Sequence, residues 1–147
     1  MAGIPELKRF FRAAGSVDVD KADVQRFREF VDERVDALAV AGRDAARWNG
    51  RDVIAPQDLP ITAGLQEQMR AFSKLEEADE LRELLRGTVR RPPDDVTFGD
   101  ETEDVLIEVF GGLGVALARS FRLLDEHVTN PATEHWDRAF GLFRLLV

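Results

Sequence analysis

The sequence predicts an all-α protein made of two tandem short–long–short helical units. Three observations carry that prediction. Apolar residues recur at helical spacing along nearly the whole chain. The segment ELKRFFR at Glu6 to Arg12 returns as ELRELLR at Glu80 to Arg86, 74 residues on and half-way through a chain of 147 residues. Glycine, proline and asparagine clusters separate the periodic stretches in the same order in both halves. Chance similarity rarely reproduces the order and lengths of several elements, so the repeat reads as an internal duplication.

Each element has its own local reason. Leu7, Phe10, Phe11 and Ala14 fall at i, i+3, i+4 and i+7, one apolar stripe of a short helix that Gly15 is placed to end. After SVDVD, a long periodic segment carries Val24, Phe27, Val31, Val35, Leu38 and Ala45, with Asp20 as N-cap and Asp23 three residues on. It runs to Trp48, where Asn49-Gly50 stops it. At ~1.5 Å per residue this helix is roughly 40 Å long, more than one short neighbour covers. Ile61, Leu65, Met69 and Phe72 mark a short third helix beginning near Pro60. In the second half, the two prolines of GTVRRPPDDVTFG exclude a continuous helix. Asp100 and Glu103 read as a capping pair ahead of Leu106, Phe110, Leu113, Leu117, Phe121 and Leu124. Asn130-Pro131 breaks this second long helix, and Trp136, Phe140 and Phe143 belong to a closing short one.

Composition limits the function classes. A hydrophobic content of 44% in 147 residues is enough for one real core. With no cysteine there is neither a disulfide framework nor thiolate chemistry. No stretch is long and apolar enough for a membrane, and MAGIPELKRFF lacks the layout of a secretory signal, so a cytoplasmic location is expected. The net charge of -8 disfavours non-specific attraction to phosphate backbones or anionic lipid.

The loop after the first long helix, GRDVIAPQDLP, reads Arg-x-x-Ile-x-Pro-x-Asp-Leu through Arg51, Ile54, Pro56, Asp58 and Leu59. With the short, long and short helices around it, and with AAG at Ala13 to Gly15, this resembles the histone fold and is similar to archaeal histones. Pro60 departs from the family pattern. The resemblance implies that Arg51 and Asp58 pair across the loop as a structural clasp, around a short segment that pairs with a partner's first loop. It further implies an intramolecular handshake pseudo-dimer: one compact domain over 1–147, with a first unit at 4–73 and a degenerate second unit at 74–147. The long helices, about 21–48 and 101–127, would then cross near their middles. In the second unit Glu126 and Thr133 match the clasp positions. AVAG at Ala39 to Gly42 and GGLG at Gly111 to Gly114 fall where two helix backbones would approach, each internal glycine costing about 1 kcal/mol of helix propensity. GGLG lacks the preceding strand and the glycine spacing of a nucleotide-binding loop. The arrangement also resembles bacterial single-chain histone-fold proteins of unassigned function.

Most histone-fold dimers bind DNA, and the resemblance raises that expectation here. The position of the minor-groove arginine in the first loop of archaeal histones is occupied by Asp18. The first 73 residues hold 11 basic and 12 acidic side chains and the remainder 9 and 16, which makes the second half a poor DNA surface. In a handshake, Arg90 and Arg91 of VRRPP come near Arg47 and Arg51 of RWNGR, a candidate nucleic-acid contact at one end. Asp94 and Asp95 stand ready to neutralise Arg90 and Arg91, which would leave an ordinary solvated rim. At the other end Asp18 and Asp20 meet DEHVTN. One basic end predicts few phosphate contacts and weak, salt-sensitive affinity.

Enzyme chemistry finds no footing. His127 and His135, in EHVTNPATEH, match no metal-ligand spacing of a helix, and acidic runs such as LEEADE and GDETED lie at helix starts. No catalytic site, metal, cofactor, small-molecule substrate or membrane partner is expected. The preferred function is a non-enzymatic protein-interaction or structural module, with a protein partner or self-association. The alternative is weak DNA binding through the basic end. Trp136, Phe140, Phe143, Leu146 and Val147 are either all core or leave an apolar patch for self-association.

Overall fold

The computed structural model describes residues 3–88 and 91–147. Six α-helices account for most of them: α1 (Ile4–Gly15), α2 (Lys21–Trp48), α3 (Ala63–Ser73), α4 (Ala78–Leu85), α5 (Asp100–Leu124) and α6 (Thr133–Leu146). Two very short strands, β1 (Val53–Ile54) and β2 (Thr97–Phe98), and a 3-10 turn at Pro56–Asp58 complete the described elements. The order is short, long, short, then short, long, short. No helix among the described residues is long and apolar enough to cross a membrane.

The helix ends follow local chemistry, with three departures from the sequence-based expectation. Asp20 and Asp23 form a reciprocal capping box, at 2.8 and 3.1 Å, as the spacing predicts. Gly15 is the last residue of α1, and Ser16 caps it in the left-handed region at φ 56°. Glycine at 15 has another use, because a Cβ there would sit 2.4 Å from the carbonyl oxygen of Ala118. α3 begins at Ala63 rather than near Pro60, since the Thr62 hydroxyl accepts the Leu65 N–H at 3.1 Å and sets the N-terminus. Asp100 and Glu103 are not a capping pair. Gly99 is the N-cap of α5 and supplies no side chain, so the acidic first turn acts only through the helix dipole. Finally, α5 ends at Leu124 and not at 127: Asp125 turns extended, and its carboxylate accepts the His127 N–H at 3.1 Å.

α5 lies at the centre and packs against each of the other five helices. Its buried residues occur all around its circumference, among them Leu106, Val109, Phe110, Leu113, Val115, Leu117 and Phe121. The long helices meet along Phe27 to Leu38 of α2 and Leu106 to Leu113 of α5, with the Phe27 and Phe110 rings edge-on at 5.1 Å. The glycines of α5, however, do not serve backbone contact between the two long helices. A Cβ on Gly111 would lie 2.3 Å from the Phe72 ring of α3, on Gly112 2.6 Å from Met69, and on Gly114 2.5 Å from Phe10 of α1. The helix backbone is bared so that short-helix side chains can seat against it, which offsets the propensity lost. Gly42 of α2 likewise faces Ile54 and Leu59 of the following loop rather than α5. Arg82 ties α4 to α5 through two bonds to Glu108, at 2.7 and 2.9 Å, and lies over the Phe72 ring.

Candidate functional site

The two ends of the bundle bring the loops together in pairs. At one end the loop after α2 meets the loop before α5. β1 and β2 pair in parallel, Val53 with Thr97 and Ile54 with Phe98. Thr97 N–H donates to Asp52 O and Gly99 N–H to Ile54 O, both at 3.0 Å. The buried Thr102 hydroxyl adds a third bond, to Ile54 O at 2.6 Å.

Arg51 and Asp58 close this loop from inside. Two guanidinium nitrogens of Arg51 reach the two carboxylate oxygens of Asp58 at 2.8 Å each, a bidentate fork. The Ala55 N–H donates to the same carboxylate at 2.8 Å, and Arg51 also donates to Val53 O at 3.0 Å. The Asp58 side chain is 3% exposed and that of Arg51 38%, so the acid is inside and the base spans the rim. Hydrogen bonding from Arg51 holds the Asp58 carboxyl below its ordinary range, against the opposing effect of burial, and raises the Arg51 guanidinium in turn.

Of the other arginines at this end, Arg47 also has a carboxylate partner. Arg47 is ion-paired with Asp95, whose backbone sits in the left-handed region at φ 69°. Asp95 thus reaches across to Arg47, 48 positions away. Arg91 is exposed, and Arg90 lies outside the described residues. What sequence reasoning passed over is Trp48, 91% exposed at the last turn of α2. Its signal was its place off the apolar stripe of that helix.

At the opposite end the connection is lighter. One backbone bond, Asp18 N–H to Thr129 O at 2.7 Å, joins the two loops. Asp18 is paired with Arg12 at 2.7 Å on the surface. Arg122 donates to Ser16 O at 3.0 Å, and Arg26 to the Thr133 hydroxyl at 2.9 Å. Glu126 and Thr133 therefore make no clasp: the hydroxyl serves Arg26, and Glu126 lies 3.2 Å from the exposed His127. His135 Nδ1 accepts the Ala132 N–H at 2.9 Å at the start of α6, while Nε2 faces Asp125 at 3.4 Å. The two histidines are thus apart in role. Among the described residues no three of His, Asp and Glu gather as a metal-ligand set.

The carboxyl-terminal apolar residues divide. Trp136, Phe140 and Phe143 are buried, whereas Leu146 is 73% and Val147 38% exposed. Leu123, Leu142 and Leu145 join them at the surface. Leu123, Leu142, Leu146 and Val147 line an apolar groove between α3, α5 and α6 of about 490 Å³.

The family model described as a domain of unknown function (DUF1931) matches residues 7–144, and the chain belongs to that family. An uncharacterized protein of Aquifex aeolicus (strain VF5) is 31% identical over 111 residues, which are 76% of this chain and 65% of that protein. The match thus spans just under two thirds of the relative's length. A crystal structure of a protein from Thermus thermophilus superposes with a TM-score of 0.87 at 38% identity, covering 98% of this chain and 97% of that one. A second, from Aquifex aeolicus, gives 0.84 at 26% identity, covering 99% and 95%.

Proposed function

We propose that this member of the family is a single-chain histone-fold pseudo-dimer acting, without enzymatic chemistry, as a cytoplasmic protein-interaction or structural module. The histone reading is supported by the doubled short–long–short order, by the parallel loop pair β1–β2, and by the bidentate Arg51–Asp58 clasp inside that loop. The whole of 1–147 then serves as one domain, its second unit lacking a clasp.

The observation that carries the functional choice is the state of the arginines at the candidate DNA end. Arg51 is turned into the fold by Asp58 and Arg47 is held by Asp95. Phosphate would have to displace a carboxylate from each, and the chain as a whole carries a charge of -8. Apolar surface, by contrast, is open for a protein partner on the α3–α5–α6 face.

Weak DNA binding is the competing reading, favoured by exposed Arg91 and Trp48 at the same end. Fluorescence anisotropy with a short labelled duplex at about 50 and 200 mM salt separates the two. The expected outcome is no binding at either salt. Micromolar binding that weakens with salt and disappears in Arg47→Ala/Arg91→Ala would overturn the interaction-module reading.

A further inference from the structure

Arg34, on α2, is poorly paired for its depth. Its side chain is 17% exposed, against 26% for Arg82 and 38% for Arg51, each of which holds one carboxylate with two hydrogen bonds. Arg34 instead donates to Val147 O at 3.1 Å, and its buried Nε has no hydrogen-bond partner among the described residues. One oxygen of Glu33 stands 4.0 Å from Arg34, while the other accepts from Arg144 at 3.2 Å. Two guanidinium groups thus share one carboxylate. A cation withdrawn from water costs free energy that only close partners offset, so Arg34 is short of an anion.

That arginine lines a cavity of about 250 Å³ between α2, α3 and α5, whose other walls include Leu38, Pro60, Leu65 and Leu113. Leu65, Leu113 and Val147 also line the groove of about 490 Å³ between α3, α5 and α6. The two spaces therefore adjoin, and together they lie in the roughly 300–1,000 Å³ range of small-molecule sites. Most of the lining is apolar, and it includes no carboxylate among the described residues. The polar groups of the groove are engaged: Arg119 donates to Gln68 at 2.8 Å, the Thr62 hydroxyl caps α3, and the Ser120 hydroxyl donates to Ala116 O at 2.6 Å. One cation with spare donors stands at the α2 end of an apolar slot.

We propose that this slot binds a straight-chain aliphatic carboxylate, a fatty acid of medium length, with its carboxylate on the Nη groups of Arg34 and its chain along Leu38, Leu65 and Leu113 into the groove. Charge and shape select this class. A neutral apolar molecule would leave Arg34 as short of a partner as before. A multiply charged anion would find a single cation with Glu33 beside it, on a chain of net charge -8. A monocarboxylate brings one charge for one guanidinium, in a geometry the fork of Arg34 matches, and a tail for the walls. Val147 shows the arrangement in miniature, its carbonyl oxygen on Arg34 and its residue in the lining of both spaces. The proposal adds a ligand to the interaction-module reading and does not rest on it.

Isothermal titration calorimetry near pH 7.5, where the fatty acid is ionised, tests this with sodium decanoate, sodium octanoate, 1-decanol and sodium acetate. Decanoate is expected to bind one per chain and about ten-fold or more tighter than decanol, whose tail is the same and whose head is neutral. Octanoate, two methylenes shorter, is expected to bind about ten-fold more weakly than decanoate, and acetate not below about 10 mM. In Arg34→Gln, decanoate affinity is expected to fall about ten-fold or more while decanol binding stays unchanged; Arg34→Lys, which keeps the charge, recovers part of the loss. Far-UV circular dichroism and melting temperature certify both variants, and the comparison of head groups on the wild type stands without them. No decanoate binding up to about 1 mM, decanol binding as tightly as decanoate, or an unchanged decanoate affinity in folded Arg34→Gln overturns the proposal and leaves the slot to a segment of another protein. The duplex-binding test of the functional reading is independent of all these outcomes, since it probes the arginine end.

Discussion

The two ends of the molecule solve the same problem differently. Each must hold two loops, one from each half of the chain. At the β1–β2 end, the strand pair, the buried Thr102 hydroxyl and a bidentate ion pair around a nearly buried carboxylate do so. At the other end there is one backbone bond, with a rim of exposed arginine contacts. The bidentate clasp belongs to the first of these ends. Interactions formed inside the fold carry large penalties when broken, because the remaining partner loses water as well as its mate; those on the rim do not.

Removing the inner carboxylate is therefore the largest expected effect. Asp58→Ala takes away three hydrogen bonds and leaves the Ala55 N–H without its acceptor. It is expected to cost about 2–3 kcal/mol in urea unfolding, less than the roughly 3–5 kcal/mol of a fully buried pair because Arg51 can turn to solvent. A cost equal to that of a surface substitution would break the contrast between the ends. Thr102→Val follows in size. It keeps the shape and deletes the bond to Ile54 O, which still receives Gly99 N–H, so a loss of about 1 kcal/mol is expected.

Acid titration sharpens the contrast with a change of sign. The folded-state pKa of Asp58 is depressed, chiefly by Arg51. Its contribution is present above the unfolded value near 4 and is lost as pH falls through the lower folded one. Asp23, near the opposite end, is raised, chiefly by burial. Its charge costs stability at neutral pH, and that cost is relieved as pH falls through the raised value. Unfolding free energies from pH 7 to 3 are expected to fall less steeply in Asp58→Asn than in the wild type. In Asp23→Asn, which retains an oxygen for the Asp20 N–H, they are expected to fall more steeply, because the relief is gone.

This division was partly legible in the sequence. The family resemblance of the loop around Arg51 and Asp58 implied their pairing, and apolar periodicity together with the ELRELLR repeat placed the six helices, because these signals lie in short stretches of sequence. The use of the glycines was not local. GGLG indicated close approach, but only the packed structure assigns Gly111 to Phe72 and Gly114 to Phe10, since either long-helix or short-helix partners satisfy the same pattern. The Arg47–Asp95 pair is not legible in the sequence, because Asp95 lies 48 positions away and reaches Arg47 through a left-handed turn that no side-chain pattern announces. At the carboxyl end, the apolar residues read equally well as core or as patch until the structure divides them.

The smallest expected effect is at the open end, and it is the more informative for being small. Arg12 and Asp18 bond at 2.7 Å, as short as any bond of the clasp, yet their side chains are 72% and 52% exposed. Distance alone would rank the two pairs together. Water and salt already stabilise each of these charges separately, so a double-mutant cycle of Arg12→Ala and Asp18→Ala is expected to give a coupling of about 0.5 kcal/mol or less, shrinking further at 1 M salt. The loop contact itself should survive, because it is the Asp18 backbone that bonds Thr129. A coupling of about 2 kcal/mol or more would mean that the rim pair holds the second loop junction as firmly as the clasp holds the first. The duplicated halves would then be equally closed at both ends, by different residues.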